Sequence, residues 1–280
     1  MSAKVLSVDS AWSLLLEARS RDWCGRASLA LEQDGMVLEI TRDGAWFSAA
    51  EVLPEAVSLL DGFAPLVVPC ERLAIAQLGQ SLDGRIATEC GASHYINGVA
   101  ARTHLHRLRA VVDAVVVGVG TANADDPRLS VRHVPGPQPA RVILDPRGRA
   151  EPGLQLFHDD LAPVLQLVAA GAAVCPAGVR RCVLAAADGV FEPAAVLDAL
   201  AARGLTRVLV EGGGATVSRF VAAGVLDRLH VLVAPMLIGS GRAGLSLPVI
   251  DSLDSALRPA CRIARCGEDV LFDLDLRPRA

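Results

Sequence analysis

The chain has 280 residues, 52% of them apolar and 21% charged, with a formal net charge of −4. That is enough for one sizeable α/β domain or a main domain with an appendage, and the balance excludes a disordered chain. The negative charge argues against a general nucleic-acid or membrane-surface binder. Seven cysteines, at positions 24, 70, 90, 175, 182, 261 and 266, contain no C-x-x-C pair and no metal-ligand grouping with the six histidines. They read as reduced, mostly buried thiols, and no metal is expected. The first residues hold too short an apolar core for a signal peptide, and no run reaches the ~18 apolar residues of a membrane span. A cytoplasmic location is expected.

Residues 1–70 differ in character from the remainder and read as a small α+β unit with no chemistry of its own. They hold all three tryptophans, Trp12, Trp23 and Trp46. Asp9 or Ser10 caps a helix carrying Trp12, Leu15 and Leu16. Asp34-Gly35 separates two strand-like runs as a hairpin turn, and Asp43-Gly44 turns the chain again. Ser48-Ala-Ala-Glu51 reads as a capping box opening a helix toward Leu60.

Residues 71–280 repeat a pattern of strand, loop and helix. Leu73–Leu78 is a strand, followed by the tight loop Gln80–Gly84. A helix follows with Ala101, Leu105, Leu108 and Val112 on an apolar face and Arg102, His106, Arg109 and Asp113 on a polar one. Val111–Val119 is apolar throughout and reads as a strand covered on both sides, ending in a polar turn through Asn123, Asp125, Asp126 and Arg132. Further strands are expected at Arg141–Asp145, Val164–Val168, Val183–Ala186 and Leu229–Ile238, with an edge strand at Asp269–Leu276. Pro193 and Gly204 frame a helix.

The most informative stretch is Thr206–Val225. Val208–Val210 is a buried strand, Gly212, Gly213 and Gly214 bare the turn, and Val217, Phe220 and Val221 resume at helical spacing. A helix N-terminus after a bare turn suits a phosphate. The spacing is not the full dinucleotide fingerprint, so a turn that merely packs closely stays open beside the phosphate reading. Four loops follow strands, at Gln80–Gly84, Gly118–Arg132, Asp145–Gly148 and Glu211–Thr216, and in a parallel sheet they would share one edge.

QLGQSLDGRIA, Ser93 to Tyr95, HRLRAVVDAVVVGVGT, ADDPRLSVR, RVILD, LVEGGGAT and GVLDRLHVLVAPMLIGSG occur in this order over some two hundred residues. In this the chain resembles the pyrimidine reductase family of riboflavin biosynthesis, with its dihydrofolate reductase-like fold. The class expected is therefore α/β, a mostly parallel twisted sheet with helices on both faces. The H-x-E and P-C-x-x-C motifs of the zinc deaminase domain found in bifunctional members do not occur, so the likeness is to the stand-alone reductase. Three departures stand out: Gln77 where lysine is common, Pro146 where serine is common, and Tyr95 where tryptophan is common.

The resemblance implies NADPH-dependent reduction of a ribosylaminopyrimidine 5′-phosphate by a homodimer. It places Ser93, Arg109, Leu129, Arg132 and Glu211 at the substrate. It places Gly79, Tyr95, Thr121, Asp125, Asp145, Pro146, Arg147, Gly148, Gly212, Gly213, Gly214, Ala215, Thr216, Val217 and Ser218 at the cofactor. Arg147 or Arg149 would meet the cofactor's 2′-phosphate. Asp125 and Glu211 are the candidate catalytic carboxylates, because opening a ribose to an imine moves protons. His94, His104, His106 and His133 read as surface or packing residues. Two other readings remain open: a reductase of a pterin or other heterocycle, and a nucleotide-binding module without catalysis.

Overall fold

A computed structural model describes residues 4–173 and 178–277. Cys175 lies outside them; of the other six cysteines Cys24, Cys70, Cys90 and Cys261 are exposed and Cys182 is buried, so the thiols are not mostly buried as the sequence suggested. The chain forms two compact units, divided between Glu71 and Arg72.

The first unit runs β1 (Val5–Leu6), α1 (Val8–Ser20), β2 (Ser28–Gln33), β3 (Met36–Thr41), β4 (Trp46–Ser48), β5 (Glu51–Val52) and α2 (Pro54–Val67). Asp34 and Gly35 both take positive φ, 55° and 71°, as the two-residue turn of a hairpin requires, and β2 pairs with β3 across them. Two helix starts depart from the sequence expectation. The cap of α1 is Ser7, whose Oγ accepts from the Ser10 N–H at 3.2 Å, leaving Asp9 in the first turn. Ser48 opens no helix, because β4 holds it: its hydroxyl donates to the Val37 carbonyl, and α2 starts only at Pro54. Trp12 meets Phe63 edge to face at 5.6 Å in the core, and Trp23 and Trp46 donate their indole N–H to the Ala18 carbonyl and to Asp61.

The second unit contains β6 (Leu73–Ser81), β7 (Arg85–Ala87), α3 (Val99–Val111), β8 (Ala114–Gly118), α4 (Val119–Asp125), β9 (Ala140–Leu144), β10 (Val164–Val168) and β11 (Arg180–Val183). It continues through β12 (Ala186–Ala187), β13 (Val190–Phe191), α5 (Pro193–Ala201), β14 (Arg207–Val210), α6 (Gly214–Ala222), β15 (Arg228–Ala234), β16 (Arg242–Ala243), β17 (Ala260–Cys266) and β18 (Asp269–Asp275). Among the described residues, nine strands form one sheet in the order β11-β10-β9-β8-β14-β6-β15-β18-β17. Every pairing from β11 to β15 is parallel, and only β18 runs the other way. The α/β class expected from the sequence is what the chain adopts.

Strand periodicity decides which helix covers which face. Ala74, Ala76, Val116, Val208 and Val210 pack with Val196, Leu197 and Leu200 of α5 and Val217, Phe220 and Val221 of α6. The alternate residues meet α3, where Ala101 packs with Leu232 and Leu271, and His104 stacks on His230. Three boundaries differ from the sequence reading. The apolar run at 111–119 divides into the last residue of α3, β8 and the first turn of α4, since an unbroken apolar run looks the same in a buried helix end and a buried strand. Val183 ends β11, and the chain then makes the small β12–β13 hairpin. β18 is an inner strand and β17 forms the edge, so the alternation of β18 reflects a charged cluster beneath it and not solvent.

That cluster is buried. His104 Nε2 lies 2.9 Å from His230 Nδ1, and Asp273 makes ion pairs with Arg228 at 3.0 Å and Arg262 at 3.3 Å, with His230 Nε2 at 3.2 Å. Burial, and then the His230 ring, hold the His104 proton affinity well below the usual histidine range. The unfolded chain therefore binds a proton near pH 6.5 that the folded chain refuses, and His104 removes stability as pH falls. Between pH 7 and 5, the slope from this residue should approach about 1.4 kcal/mol per pH unit and flatten in His104→Asn. Urea unfolding followed by far-UV circular dichroism checks it, since the tryptophans all lie before Glu71.

Candidate active site

β6, β8, β9 and β14 are parallel, so their carboxyl ends and the loops beyond them share one edge. Two side-chain contacts organise that edge. Arg109 lies near the end of α3, but helical side chains lean toward the helix N-terminus, which brings its guanidinium to Glu211, the residue just past β14. Arg109 Nε and Nη2 each donate to one oxygen of Glu211, both at 2.7 Å, and Nη1 donates to the Ser130 carbonyl at 2.9 Å. Arg109 and Glu211 are 6% and 5% exposed. The polar face of α3 is thus buried at His106 and Arg109. The second contact is Thr121, whose Oγ1 accepts the Gly213 N–H at 2.8 Å and pins the glycine turn to α4. Gly212 has φ 112°, and a Cβ there would stand 3.1 Å from that same hydroxyl oxygen.

Beside the glycine turn lies a cavity of about 300 Å³, whose lining includes Thr121, Pro146, Arg149, Phe191, Gly213 and Thr216. No side chain caps α6 at Gly213; the Thr216 N–H turns back to the Gly213 carbonyl at 3.0 Å, which leaves the Gly214 and Ala215 N–H groups for an anion, and Arg149 and Arg219 add positive charge. Of the cofactor residues expected from the sequence, Thr121, Pro146, Gly213, Ala215 and Thr216 line this cavity. Several others lie off its wall. Asp145 is wholly buried, and its Oδ2 accepts from Gln166 and from the Ala150 N–H, so it shapes the loop. A Cβ on Gly148 would stand 2.7 Å from the Ala173 nitrogen, one on Gly79 would overlap Asn97, and one on Gly214 would overlap the Gly244 carbonyl. Val217 is in the core, and Ser218 Oγ accepts the Ser246 N–H at 2.9 Å. Tyr95 is 79% exposed at φ 67°, with the Arg102 guanidinium 5.6 Å from its ring centre. Arg147 packs against Gly189, outside the cavity lining.

The sequence reading missed Gly189, Val190, Phe191 and Pro193 on the far wall. Asp188-Gly189 is a hairpin signal, with both residues at positive φ, and it could have revealed this wall. The Gln80–Gly84 loop does different work: Asp83 accepts the N–H groups of Ile238 and Gly239. Those bonds and the Ser81 hydroxyl lower its pKa to about 2.

The substrate residues expected from the sequence divide in the same way. Leu129 has φ 53° and is 2% exposed, so only its backbone is available to a ligand. Ser93 is half-buried in the loop before α3, and Asp125 is exposed at the end of α4. The Arg132 guanidinium makes no hydrogen bond or ion pair among the described residues. Desolvation and then the charges of Arg109 and Arg128 hold its pKa below the usual arginine value. A cation so placed gains from an anion brought to it.

The family model for the RibD C-terminal domain matches residues 72–271. The chain belongs to this family. It is 31% identical over 212 residues to the 2,5-diamino-6-ribosylamino-4(3H)-pyrimidinone 5′-phosphate reductase of Methanothermobacter thermautotrophicus, covering 72% of this chain and 97% of that one. It is 33% identical over 202 residues to riboflavin biosynthesis protein RibD of Mycobacterium tuberculosis, covering 70% of this chain and 52% of the relative. The chain thus spans about half the length of that RibD. Among solved structures, RibD of Acinetobacter baumannii superimposes with a TM-score of 0.61 at 27% identity, over 81% of this chain and 65% of that one.

Because both carboxylate oxygens of Glu211 depend on Arg109, Arg109→Ala leaves a buried charge without its partner. The expected cost is about 3–5 kcal/mol. It should be read as a lower urea midpoint at unchanged slope, by far-UV circular dichroism.

Proposed function

We propose that this chain reduces a ribosylaminopyrimidine 5′-phosphate to the ribitylamino form with NADPH, a step of riboflavin biosynthesis. The observation that carries the reading is the buried Arg109–Glu211 pair, which ties the glycine turn to the segment bearing the unpaired Arg132. One side of this pair faces an anion-ready helix start, and the other a guanidinium lacking a counter-ion. The reductase names of relatives in the family agree with it.

The bare turn at Gly212 and Gly213, the uncapped α6 and Arg149 fit a dinucleotide phosphate, and Arg149, Arg147 or Arg219 would favour the extra phosphate of NADPH. When bound, the reduced nicotinamide supplies hydride to the first carbon of the sugar. The residues of the chain have two tasks. Arg132 holds the substrate's anionic end, which places the acceptor carbon and supplies much of the rate advantage through orientation. The sugar must also open to an imine: the bond from its first carbon to the ring oxygen breaks as the carbon–nitrogen double bond forms, and a proton moves from nitrogen to that oxygen. Glu211, already accepting two hydrogen bonds from Arg109, serves as an acceptor that orients a sugar hydroxyl, and the exposed Asp125 is the carboxylate left to carry protons. Ser93 and the Leu129 backbone complete the substrate side.

We assign this chemistry to residues from about 71 onward and treat the first 70 as an added unit. None of the described helices is long and apolar enough to cross a membrane, which agrees with action in the cytoplasm. The exposed apolar side chains Leu237, Val249, Leu253 and Ile263 support a homodimer.

Absorbance at 340 nm should fall when NADPH is mixed with the protein and either the diamino or the deaminated ribosylaminopyrimidine phosphate. Arg132→Ala should raise the pyrimidine KM roughly 10- to 100-fold, the effect of one charge-assisted hydrogen bond, and leave the NADPH Kd unchanged. Oxidation of NADPH with a pterin alone, or with no acceptor tried, would replace this reading.

A further inference from the structure

The segment bearing Arg132 belongs to no helix or strand, yet Ser130 and Val131 are 2% and 6% exposed. Buried backbone outside regular structure needs partners from side chains. Here four consecutive backbone groups find them. Arg109 donates to the Ser130 carbonyl, and Gln138 accepts the Val131 N–H at 2.7 Å and donates to the Val131 carbonyl at 2.9 Å. The fourth is the Arg132 N–H, which donates to Nδ1 of His106 at 3.0 Å.

His106 is 3% exposed and lies one helical turn before Arg109, so α3 grips the segment at two points. An Nδ1 that accepts a hydrogen bond carries no proton, so the ring is neutral with its hydrogen on Nε2. Its surroundings enforce that form. Arg109, Arg132 and the His133 ring, 4.5 Å away, all face it, and burial followed by these charges pushes its pKa down to about 3. Nothing in the chemistry of hydride transfer uses this ring.

We propose that His106 is a positioning residue for the reaction, a neutral acceptor that fixes the Arg132 backbone and thereby aims the Arg132 guanidinium at the anionic group of the substrate. This rests on the reading of Arg132 as a substrate contact. A guanidinium moved out of reach of the anion loses a charge-assisted hydrogen bond, about tenfold or more in binding, so one backbone hydrogen bond matters.

Two amide substitutions separate the acceptor from the bulk of the ring. In His106→Asn the carbonyl oxygen is bonded to Cγ, as Nδ1 is, and can take the Arg132 N–H. In His106→Gln the oxygen sits one atom farther out, where Nε2 lay, and leaves that N–H unpaired. His106→Gln should raise the pyrimidine KM about tenfold or more, with kcat and NADPH Kd within about twofold, and His106→Asn should recover most of the loss. In an Arg132→Ala background the Gln substitution should have little further effect on KM, because both act through one group. A second readout needs no substrate: amide hydrogen exchange across residues 128–138 should quicken in His106→Gln and return toward wild type in His106→Asn. Equal defects in the Asn and Gln variants, a fall in kcat with KM unchanged, or full additivity with Arg132→Ala would overturn the proposal. Should wild-type protein turn over neither pyrimidine, the reading of the reaction falls, and the exchange comparison alone decides whether His106 holds Arg132.

Discussion

One buried ion pair sets the geometry of the whole edge. Arg109 is fixed by α3, Glu211 by the end of β14, and Ser130 by the long connection between α4 and β9, three parts of the chain separated by 21 and by 102 residues. A planar guanidinium offers donors in a fixed fork, so satisfying Glu211 and Ser130 together dictates where both stand. Removing two charges from water is costly, and such a pair persists where its geometry does something besides stabilise. Here it joins the end of the strand before the glycine turn to the segment bearing Arg132.

Around that pair the two sides of the site are built by different means. At the glycine turn, contacts are made close by leaving atoms out: Gly212, Gly213 and Gly214 let Thr121 and the Ala243–Gly244 backbone approach where a Cβ would intrude. Around Arg132, backbone without regular structure is held by Arg109, Gln138 and His106, each satisfying a polar group that burial would otherwise strand. Arg132 emerges from this frame with its charge uncompensated. The positive field and the rigid base are thus separate inventions on one helix face, and the histidine must stay neutral because its neighbours are cations.

Much of this was legible in residue order. Runs of β-branched and aliphatic residues marked β6, β9, β10, β14 and β15, and the Asp34-Gly35 turn marked a hairpin, because these signals are local and the tertiary context agrees with them. The motif series placed Thr121, Pro146, Gly213, Ala215 and Thr216 near one ligand, and they line one cavity. Failures occurred where a local signal had two meanings. Ser48 and Glu51 have capping-box spacing, but a strand had already taken Ser48. Alternation in β18 resembled a solvent-facing edge, although its polar side turns to a buried cluster of His104, His230 and three charged groups. The polar face of α3 likewise turns inward at His106 and Arg109.

By itself, then, the order of amino acids determined the parallel α/β architecture and the loops that gather at the strand ends, since both follow from hydrophobic period and chain direction. Only the folded chain decided which members of those loops face a ligand. Val217, Ser218, Asp145 and Leu129 turned inward, while Gly189 and Phe191 supplied a wall. Which way a side chain points depends on partners remote in sequence, such as Ser246 for Ser218 and Gln166 for Asp145. A motif records neighbours along the chain, and burial is settled by neighbours in space.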